Sequence, residues 1–423
     1  MSNNRKAVLG VVWMLAVLGT VQTGHAQGWK MAGEVSLAAG QEWNVYHSPE
    51  TYFALGDSAW IRDSLVIHDA LVEPAVAWTA RRRGEQGRWR VSLDGDVRRY
   101  ATERDADRTG VQFRLERVQK LGPDLDIKAS GRLRQERRLG LNILGDELLT
   151  SFSFLQAQFD LGLEWRPSRA WTWSLGGTTF SKDHQDRLTG VSLDQDERSV
   201  SAEVEWRPGR TNRGTRGLDM VGAKRKSSNI RWSSAFEYRD KPYRNWVNED
   251  LLAEVVLPTD TTPFLPFDTA LAGTYPTRHW AYSTWRLRCD LPLREGWAWR
   301  MDLRRQNRTD RSRGDFGYQD VKVSSRLKWA PKASAWSAAM TASRTWRNYT
   351  DRLAEQALGA PYPTLNYRYT RLDAELVRAV GERGAVVALF DLTVRESNTT
   401  AEDRRTRRGY RTGAVLMGYR LSF

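Results

Sequence analysis

Catalysis needs nucleophiles, acids, bases or ligands gathered at suitable spacing, and this chain offers few. Past its first segment the histidines are His47, His68, His184 and His279, and the single cysteine is Cys289. A serine nucleophile needs a base that is itself oriented by a third group, and no local motif supplies that set. Zinc sites need clustered nitrogen and sulfur donors, which one cysteine and scattered histidines do not provide. Asp57, Asp63 and Asp69 are acidic and close in sequence. Their spacing matches no calcium-binding loop. No G-x-x-x-x-G-K-S/T run is present to cradle a phosphate. Asp183-His184 is the nearest approach to an acid–base pair, but polar surface loops carry such dipeptides routinely. The expectation is therefore no enzyme, no metal, no cofactor, and no catalytic residues.

The chemistry that remains is charge. Lys+Arg number 65 against Asp+Glu 51, a net +14. Such a balance can signal nucleic acid or an anionic surface. Here the charges form no patch. They fall on alternate residues of one short segment after another. In Arg88 to Arg98, the residues Trp89, Val91, Leu93, Gly95 and Val97 make one face, and Arg88, Arg90, Ser92, Asp94, Asp96 and Arg98 make the other. A strand points successive side chains to opposite faces, whereas a helix would scatter them. The pattern recurs at 125–134, 155–166, 200–207, 297–304 and 321–329.

Units of about ten alternating residues closed by turns are the sequence mark of a transmembrane β-barrel, and counting them gives about sixteen strands. A soluble β-sandwich also alternates. Against it, the polar face is dense in both signs of charge, and the apolar face often ends in Trp beside a turn. The expected fold is all-β: an antiparallel up-and-down barrel of even strand number. Tight turns are expected at Gly84 to Gly87, 121–124, 167–169, 292–296, 331–333 and 381–384. Longer polar loops are expected near 44–62, 101–109, 140–151, 183–195, 244–277, 310–317, 350–365 and 398–406. Alternation of the two classes fits short periplasmic turns and long extracellular loops. The basic stretch 208–228 breaks that rule. It could touch peptidoglycan or an acidic partner, or be a solvated linker.

Arg5 and Lys6 precede an apolar run from Ala7 to Val21, and Gly24-His25-Ala26 puts small residues where a signal peptidase reads. Residues 1–26 read as a cleaved signal peptide, with 27–423 as a single barrel domain. The run is short for a spanning helix, which needs about 20 residues. Export makes nucleic acid an unexpected partner.

Three strands end Trp165-Arg166-Pro167, Trp206-Arg207-Pro208 and Trp329-Ala330-Pro331 at predicted periplasmic turns. Proline belongs at a strand end because it cannot donate to the ladder. Tryptophan marks the interface between lipid and water. Trp165, Trp206, Trp297 and Trp329 are thus the expected interface aromatics. At the other end of the chain, Gly413, Val415, Met417, Tyr419, Leu421 and Phe423 alternate to a terminal phenylalanine. This resembles the terminal strand of bacterial outer-membrane proteins. The resemblance implies an outer-membrane location and recognition of Phe423 by the barrel-assembly machinery. In proteases resembling the omptins, Asp and His act above the membrane. Asp183-His184 is the only counterpart here, and the strand count fits that family poorly.

The expected lumen-facing cations are Arg88, Arg90, Arg98, Arg114, Arg132, Arg134, Arg166, Arg300, Arg304, Lys322, Arg326 and Lys328. They could form a cross-strand ion-pair lattice with the acids of the same face. They could equally leave a positive surplus that favours anions. The reading carried forward is a porin-like passive channel for small polar solutes with a weak anion preference. Its rival is a non-transporting scaffold, adhesin or secretion-system accessory barrel. By analogy with porins, loop 244–277 is a candidate lid. Lipid and small polar or anionic solutes are the expected partners, and a homo-oligomer is compatible with the architecture.

Overall fold

The computed structural model describes residues 28–45, 51–54, 59–62, 67–137, 139–140, 150–151, 153–184, 194–208, 230–247, 277–293, 296–312, 316–354, 363–398 and 409–423. The segment read as a signal peptide, the basic stretch 208–228 beyond Pro208 and most of loop 244–277 lie outside them.

In the first half the strands are β1 (Trp29–Trp43), β2 (Thr51–Ala54), β3 (Ala59–Arg62), β4 (His68–Gly84), β5 (Gly87–Tyr100), β6 (Arg108–Lys120), β7 (Leu125–Arg137), β8 (Leu139–Gly140), β9 (Thr150–Ser151) and β10 (Phe154–Trp165). The second half holds β11 (Trp171–His184), β12 (Gln195–Trp206), β13 (Arg231–Val247), β14 (Thr277–Pro292), β15 (Trp297–Asp310), β16 (Tyr318–Trp329), β17 (Trp336–Leu353), β18 (Thr364–Val380), β19 (Gly384–Ser397) and β20 (Tyr410–Ser422). Sixteen of them close into one antiparallel barrel in sequence order, and β1 pairs with β20 at the seam. Closure leaves no edge strand with unpaired backbone groups, which lipid would not tolerate. The short pairs β2–β3 and β8–β9 sit outside the ring. They give local structure to two segments that were expected as plain loops.

Partners in an antiparallel ladder share a face. Followed pair by pair, the register returns to the same parity at the seam. Each strand therefore sends one alternation outward and the other into the barrel. The outward set includes Phe113, Leu133, Phe159, Leu161, Leu175, Val200, Phe236 and Met417, all well exposed. A protein bathed in water would bury such residues; here they form the surface that meets lipid. At the tight-turn end the outward face carries paired tryptophans. Trp171 stacks on Trp206 with centroids 6.0 Å apart, and Trp297 lies 6.2 Å from Trp329. Trp165 is the register partner of Trp173. The four tryptophans read from sequence thus sit in one belt beside the turns.

The turns follow from local chemistry. Gly296 adopts φ +81°, and a Cβ there would lie 2.6 Å from the Cα of Pro331 on the next turn. Only glycine permits both the left-handed conformation and that approach. At the seam the Phe423 ring covers Gly33, where a Cβ would meet it at 2.3 Å. Backbone bonds in both directions tie Phe423 to Gly33, at 2.8 and 2.9 Å.

Leu161 lies outward near the middle of β10 and is 48% exposed. Leu161→Arg is expected to cost about 2–4 kcal/mol, the depth-dependent penalty for a cation facing lipid. Denaturant unfolding of the barrel refolded in vesicles would measure it. An unchanged midpoint would mean that this position does not face the hydrocarbon.

Candidate functional site: the charged inner face

All twelve cations singled out in the sequence point into the barrel. Their surroundings divide them. Arg88 and Arg114 reach Glu116 at 3.8 and 3.4 Å. Arg98 bridges Glu42 at 2.8 Å and Glu73 at 2.6 Å, and Tyr100 donates its hydroxyl to Glu42 at 2.6 Å. Arg134 pairs with Glu136 at 2.5 Å, and Arg166 with Asp126 at 2.9 Å and also with Glu164. Arg300 and Arg231 share Asp290, each at 2.5 Å. Arg304 reaches Asp320 at 3.2 Å, and Arg347 meets the same carboxylate at 3.3 Å. Asp320 is completely buried. These groups form the expected lattice.

Arg90, Arg132, Lys322, Arg326 and Lys328 behave differently. Among the described residues none of them forms an ion pair. For four of them the register places like charges side by side; Lys328 lies between Ala298 and Ala339. Arg286, Arg304 and Lys322 form one row across β14, β15 and β16. Arg326 lies opposite Arg300. Arg90 faces Arg81, and Arg132 faces Arg114. Like charges directly opposite one another are destabilising, so a lattice arranged only for stability would not place them so.

Space remains inside the barrel. A cavity of about 1050 Å³ at the tight-turn end is lined by Lys128, Glu164, Arg166, Glu203 and Glu205. A second, of about 510 Å³, is bounded by Arg88, Arg114, Glu116 and Asp160. These are charged walls around openings large enough for hydrated solutes.

The inner face also holds groups that the alternation did not single out. Tyr243, Trp280, Tyr282 and Tyr318 are buried together, and Leu365, Tyr367 and Ala354 form a neighbouring cluster. All lie toward the loop end of β13 to β18. Arginines are interleaved with them: Arg308 sits over Trp280 and Tyr318, and Arg347 over Tyr318 and Tyr369. The only sequence signal is parity. Tyr318 shares the face of Lys322, and Tyr367 and Tyr369 share that of Arg371.

Two other sets of residues were weighed in the sequence and set aside. Asp183 and His184 were expected in a loop, but they are the last residues of β11 and point to opposite faces. They cannot act as one acid–base pair. Asp57 and Asp63 lie outside the described residues, whereas Asp69 accepts the backbone N–H groups of Thr102 and Glu103 at 2.9 and 2.7 Å. Asp69 is a turn cap. Among the described residues no group of His, Cys, Asp and Glu is arranged to hold a metal.

The sequence matches no known family and no curated protein. Solved structures are similar in shape. OccAB1 from Acinetobacter baumannii aligns with TM-score 0.45 and 7% identity, over 93% of this chain and 96% of that one. The outer membrane protein opdK from Pseudomonas aeruginosa gives 0.43 and 8%, over 93% and 99%. An anion-selective porin from Comamonas acidovorans gives 0.41 and 8%, over 93% and 99%. Likeness at this level carries no function across.

Proposed function

We propose that this outer-membrane β-barrel is a passive channel for small polar solutes, with a weak preference for anions. The observation that carries this reading is the row of like charge: Arg286, Arg304 and Lys322 side by side on three strands, with Arg300 beside Arg326 below them. The field of Arg371 also reaches Lys322, and that of Asp302 acts against it. Asp302 and Asp320 offset Arg286 and Arg304, at 3.5 and 3.2 Å, but no ion pair among the described residues offsets Lys322. Water and passing anions do so, and fixed positive charge in a narrow lumen raises the local anion concentration.

The lattice and the channel are complementary on this view. Paired charges hydrate the wall and fix its side chains, and they leave little net field. The unpaired set on β16, Lys322, Arg326 and Lys328, supplies the field.

The test is the conductance of the refolded protein in a planar bilayer under a salt gradient. Stable open steps, with a reversal potential on the anion side, are the expected result. Absence of conductance from a correctly folded barrel would overturn the channel and favour the scaffold or accessory reading.

A further inference from the structure

We infer that the loop end of the lumen holds a carboxylate-binding station, built on Arg308 and framed by a stack of alternating rings and cations. The inference rests on the channel reading and adds a solute class to it.

The stack crosses six strands. Lys241 of β13 lies 5.7 Å from the Trp280 ring of β14. The guanidinium of Arg308 on β15 is 4.2 Å from that ring and 4.2 Å from Tyr318 of β16. On β17, Arg347 is 4.1 Å from Tyr318 and 5.5 Å from Tyr369 of β18. Each strand contributes one member, and rings alternate with cations. Cation–π attraction fixes the guanidiniums in place, so little freedom is left to lose when a ligand arrives.

Within this stack the arginines are not equivalent. Arg347 has Asp320. Arg308 has no carboxylate partner among the described residues. Its Nε donates to the Phe316 carbonyl at 2.6 Å, and its side chain also donates to the hydroxyl of Tyr282, its register neighbour. A full positive charge, partly exposed to the lumen and held by rings, has no counter-ion among the described residues. A planar carboxylate matches the remaining edge of its fork. Nearby donors are also unfilled. The buried Tyr367 hydroxyl and the Nε of Arg347 have no hydrogen-bond partner among the described residues, and the two residues face each other in register. Buried donors without acceptors are rare enough to call for a guest. Packing alone would not demand a guanidinium here, because an apolar side chain could fill the gap between Trp280 and Tyr318.

The station also leads inward. Arg304 lies four residues down β15 from Arg308, about 13 Å at the usual strand rise. There the row with Arg286 and Lys322 begins. An anion released from Arg308 meets the next cations along the same wall.

The experiment uses the refolded protein in a planar bilayer with potassium chloride, and benzoate added to both sides. Benzamide, which has the ring and lacks the charge, is the control. Benzoate is expected to interrupt the current and benzamide is not. Arg308→Gln should raise the benzoate concentration needed by about tenfold, the loss of one charge-assisted hydrogen bond. Arg308→Lys keeps the charge and loses the fork, and should weaken the block while retaining the chloride preference. Equal block in all three proteins, or block by benzamide as well, overturns the station and leaves the channel standing. If the wild type does not conduct, calorimetric titration of the detergent-solubilised barrel with benzoate decides. Binding that Arg308→Gln abolishes supports the station although the channel fails, and no binding overturns it.

Discussion

Replacing Asp320 by alanine is expected to destabilise the barrel by about 3 kcal/mol, the low end for breaking a buried charge network. The side chain is completely buried between Arg304 and Arg347, which keep 25% and 24% of their own surfaces exposed. Its removal strands two guanidiniums, and their residual exposure to solvent keeps the cost from rising further. Asp320→Asn keeps the shape and removes the charge, so its loss should fall between that of alanine and none. The measurement is the denaturant midpoint of the strand signal. A midpoint unchanged in both variants would mean that water already satisfies the two arginines. The network would then contribute nothing to holding β15, β16 and β17 together.

The second large effect is on ion preference. The triple variant Lys322→Glu, Arg326→Glu and Lys328→Glu replaces three unpaired cations with three anions on one inward stripe. Positions 326 and 322 lie next to Arg300 and Arg304 in register, and 328 lies next to Ala298. The new glutamates at 322 and 326 would pair with those arginines and cancel the row of like charge. The reversal potential in a salt gradient is expected to change sign, from the anion to the cation side. Because the new pairs are favourable across strands, folding should not suffer. A properly folded variant that keeps the anion preference would remove β16 as its source and turn attention to Arg90 and Arg132.

What the sequence made legible was whatever repeats within one strand. Alternation in Arg88 to Arg98 tells in from out because the strand period is two, and no partner is needed to read it. Trp165 and Pro167 mark a strand end for equally local reasons. Neighbour identity was not legible. That Lys322 meets Arg304, or that Arg308 slots between Trp280 and Tyr318, depends on register between separate hairpins. A shift of two residues would preserve every face and change every pair. Asp183-His184, set aside as a loop dipeptide, shows the same limit. Pairing with β10 carries β11 through both residues, and a strand necessarily parts its members. From Ala385 to Phe390 both faces of β19 are apolar. Its inward Leu389 packs with Leu71, Tyr100 and Leu416.

The seam has a consequence for how the chain reaches its fold. In the ring, every pairing but one joins strands that follow each other along the sequence. The exception is β1 with β20, running from Trp43 opposite Gly413 to Glu34 opposite Ser422. Hairpins can therefore zip one after another at low entropic cost, while the last pairing must bring together segments from far ends of the chain. Until it does, β1 and β20 are two open templates, each able to recruit a strand of another molecule. Refolding should show a fast rise of strand signal followed by one slow step. Yield should fall with protein concentration only during the interval between them.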